Sequence, residues 1–179
     1  MDAEAENSKK TASDNGVQSY PTIKFFPKGN KTPEDYTGGR SEADFVTFIN
    51  EKAQTHRTVG GGLDVAAGTI AMLDAVVNKF TGGTKLADAT KEAKKEAASM
   101  KEKAQYKYAE YYLRVFDKLA KNDNFASKEL ARLDGILKKG GLAPSKIDEL
   151  TSKTNILRRF VAESVENVKE AVESAKDEL

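Results

Sequence analysis

Three consecutive glycines, Gly60, Gly61 and Gly62, constrain this chain more than any other feature, because a glycine triplet cannot hold a regular element cheaply. They separate two stretches of different composition. Ahead of them lie three of the four prolines, Pro21, Pro27 and Pro33, whereas everything after Asp64 holds only Pro144 and is rich in Ala, Lys, Glu and Leu. The segment Gln54 to Gly62 reads as the join, with residues 58–62 as a glycine linker. At 179 residues there is room for one ordinary domain or two small ones.

Composition excludes several chemistries. Cysteine is absent, so structural disulfides, cysteine-ligated zinc, thiol nucleophiles and dithiol redox centres are ruled out within the chain. A single histidine, His56, removes histidine-cluster metal sites, and no carboxylate or serine stands at a catalytic spacing from it, so it reads as a solvated linker side chain. No catalytic residue, metal or cofactor is expected. The 29 Lys and Arg balance 28 Asp and Glu to a net charge of +1, which argues against a nucleic-acid partner. The longest charge-free stretches, Asn15 to Ile23 and Val65 to Leu73, are nine residues each, far short of the roughly 18 to 20 that span a bilayer. The opening Met1-Asp2-Ala3-Glu4-Ala5-Glu6 is acidic and polar, unlike a secretory signal.

Before the linker the pattern predicts a short helix over Glu4 to Asn15, stopped by Gly16. Thr22 to Phe26 is a β-branched and aromatic run closed by Pro27-Lys28-Gly29-Asn30, a strand and a turn. Asp35-Tyr36-Thr37 is expected to pair with it as a second strand, and Ser41 to cap a helix carrying Phe45, Phe48 and Ile49 on one face.

After the linker the pattern is helical throughout. Leu63 to Phe80 is predicted as the first helix despite Gly68, with Gly82-Gly83 as its stop and Thr84 capping the next. From Leu86 small or apolar residues recur at Ala89, Ala93, Ala97, Met100, Ala104, Tyr108, Tyr111, Val115 and Leu119. One helix from Thr84 to Lys121 would span roughly 57 Å, too long for a small domain, so a break is expected near Ala97 to Lys101. Further helices are predicted from Ser127 to Lys139 and from Pro144, the last carrying Ile147, Leu150, Leu157, Phe160, Val161, Val165, Val168 and Val172 and running past the core into solvent. The sum is a five-helix all-α domain over residues 63–172, with a tail over 173–179. The class is mainly α.

Three other features take plain readings. Tyr106, Tyr108, Tyr111 and Tyr112, with Lys107 and Arg114, could stack on bases, but at helical spacing on a neutral domain they read as core and rim. Gly60-Gly61-Gly62 lacks the lysine and strand context of a phosphate loop. Lys91 to Glu96 is a solvated helix face laced with i,i+4 pairs.

The last four residues, Lys176-Asp177-Glu178-Leu179, match the address read by the endoplasmic reticulum retrieval receptor. A protein with this address also needs an entry signal, so the chain is expected to be the C-terminal part of something longer. Gly16 to Gly29, Tyr36-Thr37-Gly38-Gly39-Arg40 and the helix with Phe45, Phe48 and Ile49 resemble the second half of a thioredoxin-type domain of the protein disulfide isomerase family. The resemblance implies that Pro21 is the cis proline beside the active site and that the backbone of Tyr20 pairs with an extended substrate. The family's Cys-x-x-Cys lies earlier in the domain and is absent, so residues 1–57 read as a truncated thioredoxin-like α/β segment. Tyr112 to Lys118, Glu129 to Leu133 and Asn155 to Phe160 resemble, in order and spacing, the D domain of some family members and of the chaperone ERp29. The whole is similar to plant and fungal isomerases built of two thioredoxin domains, a D domain and a retrieval tail.

The implied function is the C-terminal portion of a luminal disulfide isomerase acting on unfolded or disulfide-bonded secretory clients. A non-redox chaperone or escort module of ERp29 type is the alternative.

Overall fold

The computed structural model describes residues 5–177, with side chains through Val161. The side chains of Val165, Val168, Val172, Lys176 and Asp177, and all of Glu178 and Leu179, lie outside the described residues. The chain divides into two compact units, Met1–Gly61 and Gly62–Leu179.

The first unit runs α1 (Glu6–Asp14), β1 (Lys24–Phe25), β2 (Glu34–Asp35) and α2 (Glu42–Ala53). The strands are antiparallel, with Lys24 opposite Asp35 and Phe25 opposite Glu34, and the first of these pairs is also an ion pair. The ladder is shorter than the sequence pattern predicts. It includes neither Tyr36 nor Thr37, because the Tyr36 ring turns to pack on Phe45 and Phe48, at centroid distances of 5.1 and 4.8 Å, although its N–H still reaches the Ile23 carbonyl at 2.9 Å. Phe25 meets Phe48 edge-on at 5.5 Å and completes an aromatic layer between hairpin and helix. Helix α2 starts where expected: Ser41 Oγ accepts from the Asp44 N–H at 3.2 Å, and Asp44 Oδ2 accepts from the Ser41 N–H at 2.9 Å. That box needs Gly39, since a Cβ there would sit 2.2 Å from Asp44 Oδ2. Among the described residues of this unit only Ala12 is buried, so the aromatic layer is half open.

The second unit is five helices: α3 (Ala71–Thr81), α4 (Leu86–Ala98), α5 (Tyr106–Leu119), α6 (Phe125–Lys139) and α7 (Pro144–Asp177). Helix α5 is central and packs on α4, α6 and α7, while α3 lies against α4 and α7. The fully buried residues of α4 are alanines alone, Ala89, Ala93 and Ala97, which lets its neighbours approach closely, and Leu86 packs at the edge. The larger side chains of the core include Leu73, Val76, Val77, Tyr112, Val115, Phe116, Leu133, Ile156 and Leu157. Phe116 joins Phe80 and Phe160 edge-on at 5.8 and 5.0 Å.

The expected break in the long stripe is present, between Ala98 and Tyr106. Ser99 Oγ donates to the Glu96 carbonyl at 2.7 Å, a side-chain bond that competes with the next helical turn, and Met100 turns into the core, 2% exposed. Thr84 is not the cap it was predicted to be. Lys85 occupies that position with no side-chain bond, and Thr84 instead spends its N–H on the Lys79 carbonyl at 2.9 Å, closing α3. Helix α6 begins two residues earlier than the pattern suggests, at Phe125.

The larger correction is at the start of the unit. Helix α3 begins at Ala71 and not at Leu63, because residues 64–70 are held in turns that a helix cannot accommodate. Asp64 Oδ1 accepts from the N–H groups of Ala66 and Ala67 at 2.8 and 3.0 Å. Gly68 sits at φ +82°, and a Cβ on it would meet the Ser152 Cβ at 2.6 Å. From α7, the Asn155 amide donates to the carbonyls of Asp64 and Ala67 at 2.8 and 3.0 Å. From α5, the Tyr112 hydroxyl accepts from the Ile70 N–H at 3.3 Å and donates to the Asp74 carboxylate, whose other oxygen lies 3.4 Å from Arg159 Nε. The Asn155 amide, the Tyr112 hydroxyl and the Asp74 carboxylate thus each find a partner in this corner, as burial favours.

Two predictions test these ties. Gly68→Ala combines a left-handed backbone with a steric clash and is expected to cost about 1–3 kcal/mol, whereas Gly135→Ala, in an open interior position of α6, is expected to stabilise by about 0.5–1 kcal/mol. Thermal melts followed by helical circular dichroism should move in opposite directions, and a common direction would contradict the assignment. The second concerns pH. Burial first, then the Asp74 bond and charge, push the Tyr112 hydroxyl well above its usual 10. Its folded value exceeds its unfolded value, so the resulting stability is fully present below pH ~10 and is lost as pH rises beyond it. Tyr112→Phe should therefore be less stable than the parent by about 1–3 kcal/mol at pH 8, and this gap should narrow above pH ~10 in denaturant titrations. A constant gap through pH 11 would contradict it.

Candidate functional site

The segment between α1 and β1 carries Tyr20 and Pro21 in a bend, joined by a cis peptide bond. Both side chains are exposed, Tyr20 to 59%. Gly16, at φ +65°, lets the chain reverse after α1 and brings Val17, Gln18 and Tyr20 alongside Lys9, Ala12 and Ser13, where they line an open cavity of about 350 Å³. Thr22 Oγ1 donates to the Ser19 carbonyl at 2.5 Å and fixes the curve of the bend. Among the described residues, Tyr20 makes no backbone hydrogen bond.

Among the described residues strand β1 pairs only with β2, in a two-stranded sheet. Phe26, directly after this strand, is 52% exposed. The electrostatics nearby are mild. Burial and the neighbouring Asp44 charge raise the Tyr36 hydroxyl, while in the α2 cap the Ser41 hydroxyl and N–H hold Asp44 below its usual value.

Thiol chemistry has no residue in this arrangement. No thiol exists in the chain, and among the described residues no group of His, Asp and Glu could hold a metal ion. Nor is there, among them, a helix long and apolar enough to cross a membrane. His56 is half-buried in place of the solvated position expected for it. In the second unit Tyr106 and Tyr108 form the rim and Tyr111 and Tyr112 the core, with Lys107 Nζ over the Tyr108 ring at 4.8 Å. Burial, then the Glu129 charge, push the Tyr111 hydroxyl up to about 12, so it stays protonated. Among the described residues it is the one buried side-chain polar atom without a hydrogen-bond partner. Lys176 and Asp177 end the α7 backbone, and the side chains of the terminal tetrapeptide fall outside the described residues.

Family resemblance singled out Tyr20 and Pro21, but the sequence reading assigned no role to Asp74, Asn155 or Arg159, which fix the lead-in to α3. The available signal was Asn155 itself, a polar residue directly before Ile156-Leu157 on an apolar face.

Comparison with known proteins gives the geometry a family. Residues 68–160 match the family described as endoplasmic reticulum protein ERp29, C-terminal domain, and residues 1–51 match thioredoxin. The chain is 62% identical over 170 residues to protein disulfide-isomerase erp38 of Neurospora crassa, an alignment covering 95% of this chain and 46% of that protein. It is 53% identical over 179 residues to protein disulfide-isomerase tigA of Aspergillus niger, covering all of this chain and 45% of that one. With protein disulfide isomerase-like 2-2 of Oryza sativa subsp. japonica it shares 41% identity over 165 residues, 88% of this chain and 43% of the other. The chain thus spans about half the length of the curated relatives it matches. It belongs to the protein disulfide isomerase family, with an ERp29-type helical domain following a partial thioredoxin domain that has no cysteine.

Proposed function

We propose that this chain serves as the client-holding C-terminal portion of an endoplasmic reticulum disulfide isomerase, assisting oxidative folding of secretory proteins without performing the thiol chemistry. The observation that carries this reading is the exposed Tyr20, whose backbone makes no hydrogen bond among the described residues, beside Pro21 in a thioredoxin segment that lacks cysteine. In the parent enzyme a cysteine thiolate elsewhere in the protein would attack the client disulfide and a second thiol would resolve the mixed disulfide. The residues of this chain supply positioning. The Tyr20 backbone pairs with the client's extended segment, Pro21 holds the bend open to it, and the aromatic surface of Tyr20 and Phe26 covers apolar client side chains. No step of bond making or breaking has a residue here.

A second reading, a non-redox chaperone or escort of ERp29 type, is favoured by the same absence of cysteine together with the ERp29-type match. One experiment addresses both. The purified chain is expected to show no reductase or isomerase turnover on a disulfide-scrambled protein above a no-protein control, because no thiolate exists to attack. Turnover above that control would overturn the first reading. Suppression of client aggregation by the chain alone would favour the second over a purely spacing role.

Lys176-Asp177-Glu178-Leu179 supports placement in the endoplasmic reticulum lumen, with the retrieval receptor and secretory clients as partners. With a cleavable signal peptide in front and Leu179 as the free end, the chain should be retained, and deleting the four residues should release it to the medium. Equal retention of both forms, measured by secretion, would remove this support.

A further inference from the structure

We propose that Asn30 is an acceptor for N-linked glycan, an inference that rests on the luminal placement above. Asn30-Lys31-Thr32 is the only stretch of the sequence with Asn, a residue other than Pro, and then Ser or Thr. The triplet lies in the connection between β1 and β2, and all three residues are exposed. None of them belongs to the aromatic layer of Phe25, Tyr36, Phe45 and Phe48, so a bulky hydrophilic group at this tip displaces no packed side chain.

The local geometry suits the chemistry. Asn30 is anchored by its backbone, whose N–H donates to the Pro27 carbonyl at 2.9 Å, with Gly29 at φ +80° making the preceding turn. Its side-chain oxygen accepts from the Thr32 N–H at 2.9 Å, which polarises the carboxamide and folds the Thr32 residue back toward it. Among the described residues the Asn30 amide nitrogen and the Thr32 hydroxyl have no partner within the chain, so both are available to an enzyme. The donor is a lipid-linked oligosaccharide pyrophosphate. The Asn30 nitrogen forms a bond to the anomeric carbon of the first sugar and gives up one proton, while the bond from that carbon to the pyrophosphate oxygen breaks and the lipid pyrophosphate leaves with the electron pair. Nothing is oxidised or reduced.

Pro33 follows the triplet and biases Thr32 toward extended conformations, which makes the folded-back turn less frequent in the unfolded chain. Occupancy is therefore partial, and Pro33→Ala raises it.

The test expresses the full protein from its own gene in its own cells and reads gel mobility before and after endoglycosidase. The expected result is a fraction of the protein slowed by one glycan step, collapsed by the enzyme, lost in Asn30→Gln and in Thr32→Ala, kept in Thr32→Ser and enlarged in Pro33→Ala. A parallel variant, Asn124→Thr, places the same triplet at Asn122 in the exposed connection between α5 and α6 and reports entry into the lumen independently. A glycan on Asn122 with none on Asn30 overturns the Asn30 assignment and leaves the luminal reading intact. No glycan on either overturns both.

Discussion

Two side chains from distant parts of the sequence, Asn155 on α7 and Tyr112 on α5, bond the backbone at Asp64, Ala67 and Ile70, and the helical unit depends on that clamp. A segment that lies against a core without being helical or extended must find partners for its amide and carbonyl groups, and each one left unmatched costs about 1–3 kcal/mol. The amide of Asn155 meets two carbonyls, and the hydroxyl of Tyr112 meets one N–H and the Asp74 carboxylate. With the lead-in fixed, Ile70 and Leu73 enter the core at a defined height, and α3 is aimed along α4 and α7. The apolar contacts supply most of the stability, and the polar clamp decides which arrangement of them is reached.

The legibility of this fold from sequence follows the range of the interactions involved. Helices α4 to α7 were visible because their stripes are periodic and their stops are glycines or short-range bonds within the same few residues. The break before Tyr106 could be anticipated from length, although the Ser99 and Met100 contacts that make it could not. Residues 63–70 read as helix because Ile70, Leu73, Val76, Val77 and Phe80 recur at spacings of three and four and no stop precedes them back to Leu63 except Gly68, and what overrules this is contact with Ser152 and Asn155 some 84 to 91 positions away. Strand β2 starts one residue earlier and ends two residues earlier than the pattern predicts for a similar reason, since Tyr36 is attractive both to a ladder and to the rings of Phe45 and Phe48. The exposed bend at Tyr20 was read through family resemblance, and patterning alone marked it only as a strand entry.

The first unit is held by few contacts. A hairpin two residues deep and a helix with no buried residue leave the aromatic side chains partly in water, so the layer of Phe25, Tyr36, Phe45 and Phe48 rests on ring-to-ring packing and on the Ser41–Asp44 cap that starts the helix.

The buried amide of Asn155 also acts as an index mark on α7. The stripe formed by Leu150, Leu157 and Phe160 repeats at helical spacing, so burial of apolar area alone would tolerate the helix sliding by three or four residues along its groove. Such a slide would bring Thr151, Ser152, Arg158 or Arg159 opposite the carbonyls of Asp64 and Ala67. Serine and threonine have one donor for two acceptors, and arginine carries a longer and charged group, so none reproduces the fit. One carboxamide thereby converts a sliding scale into a single notch.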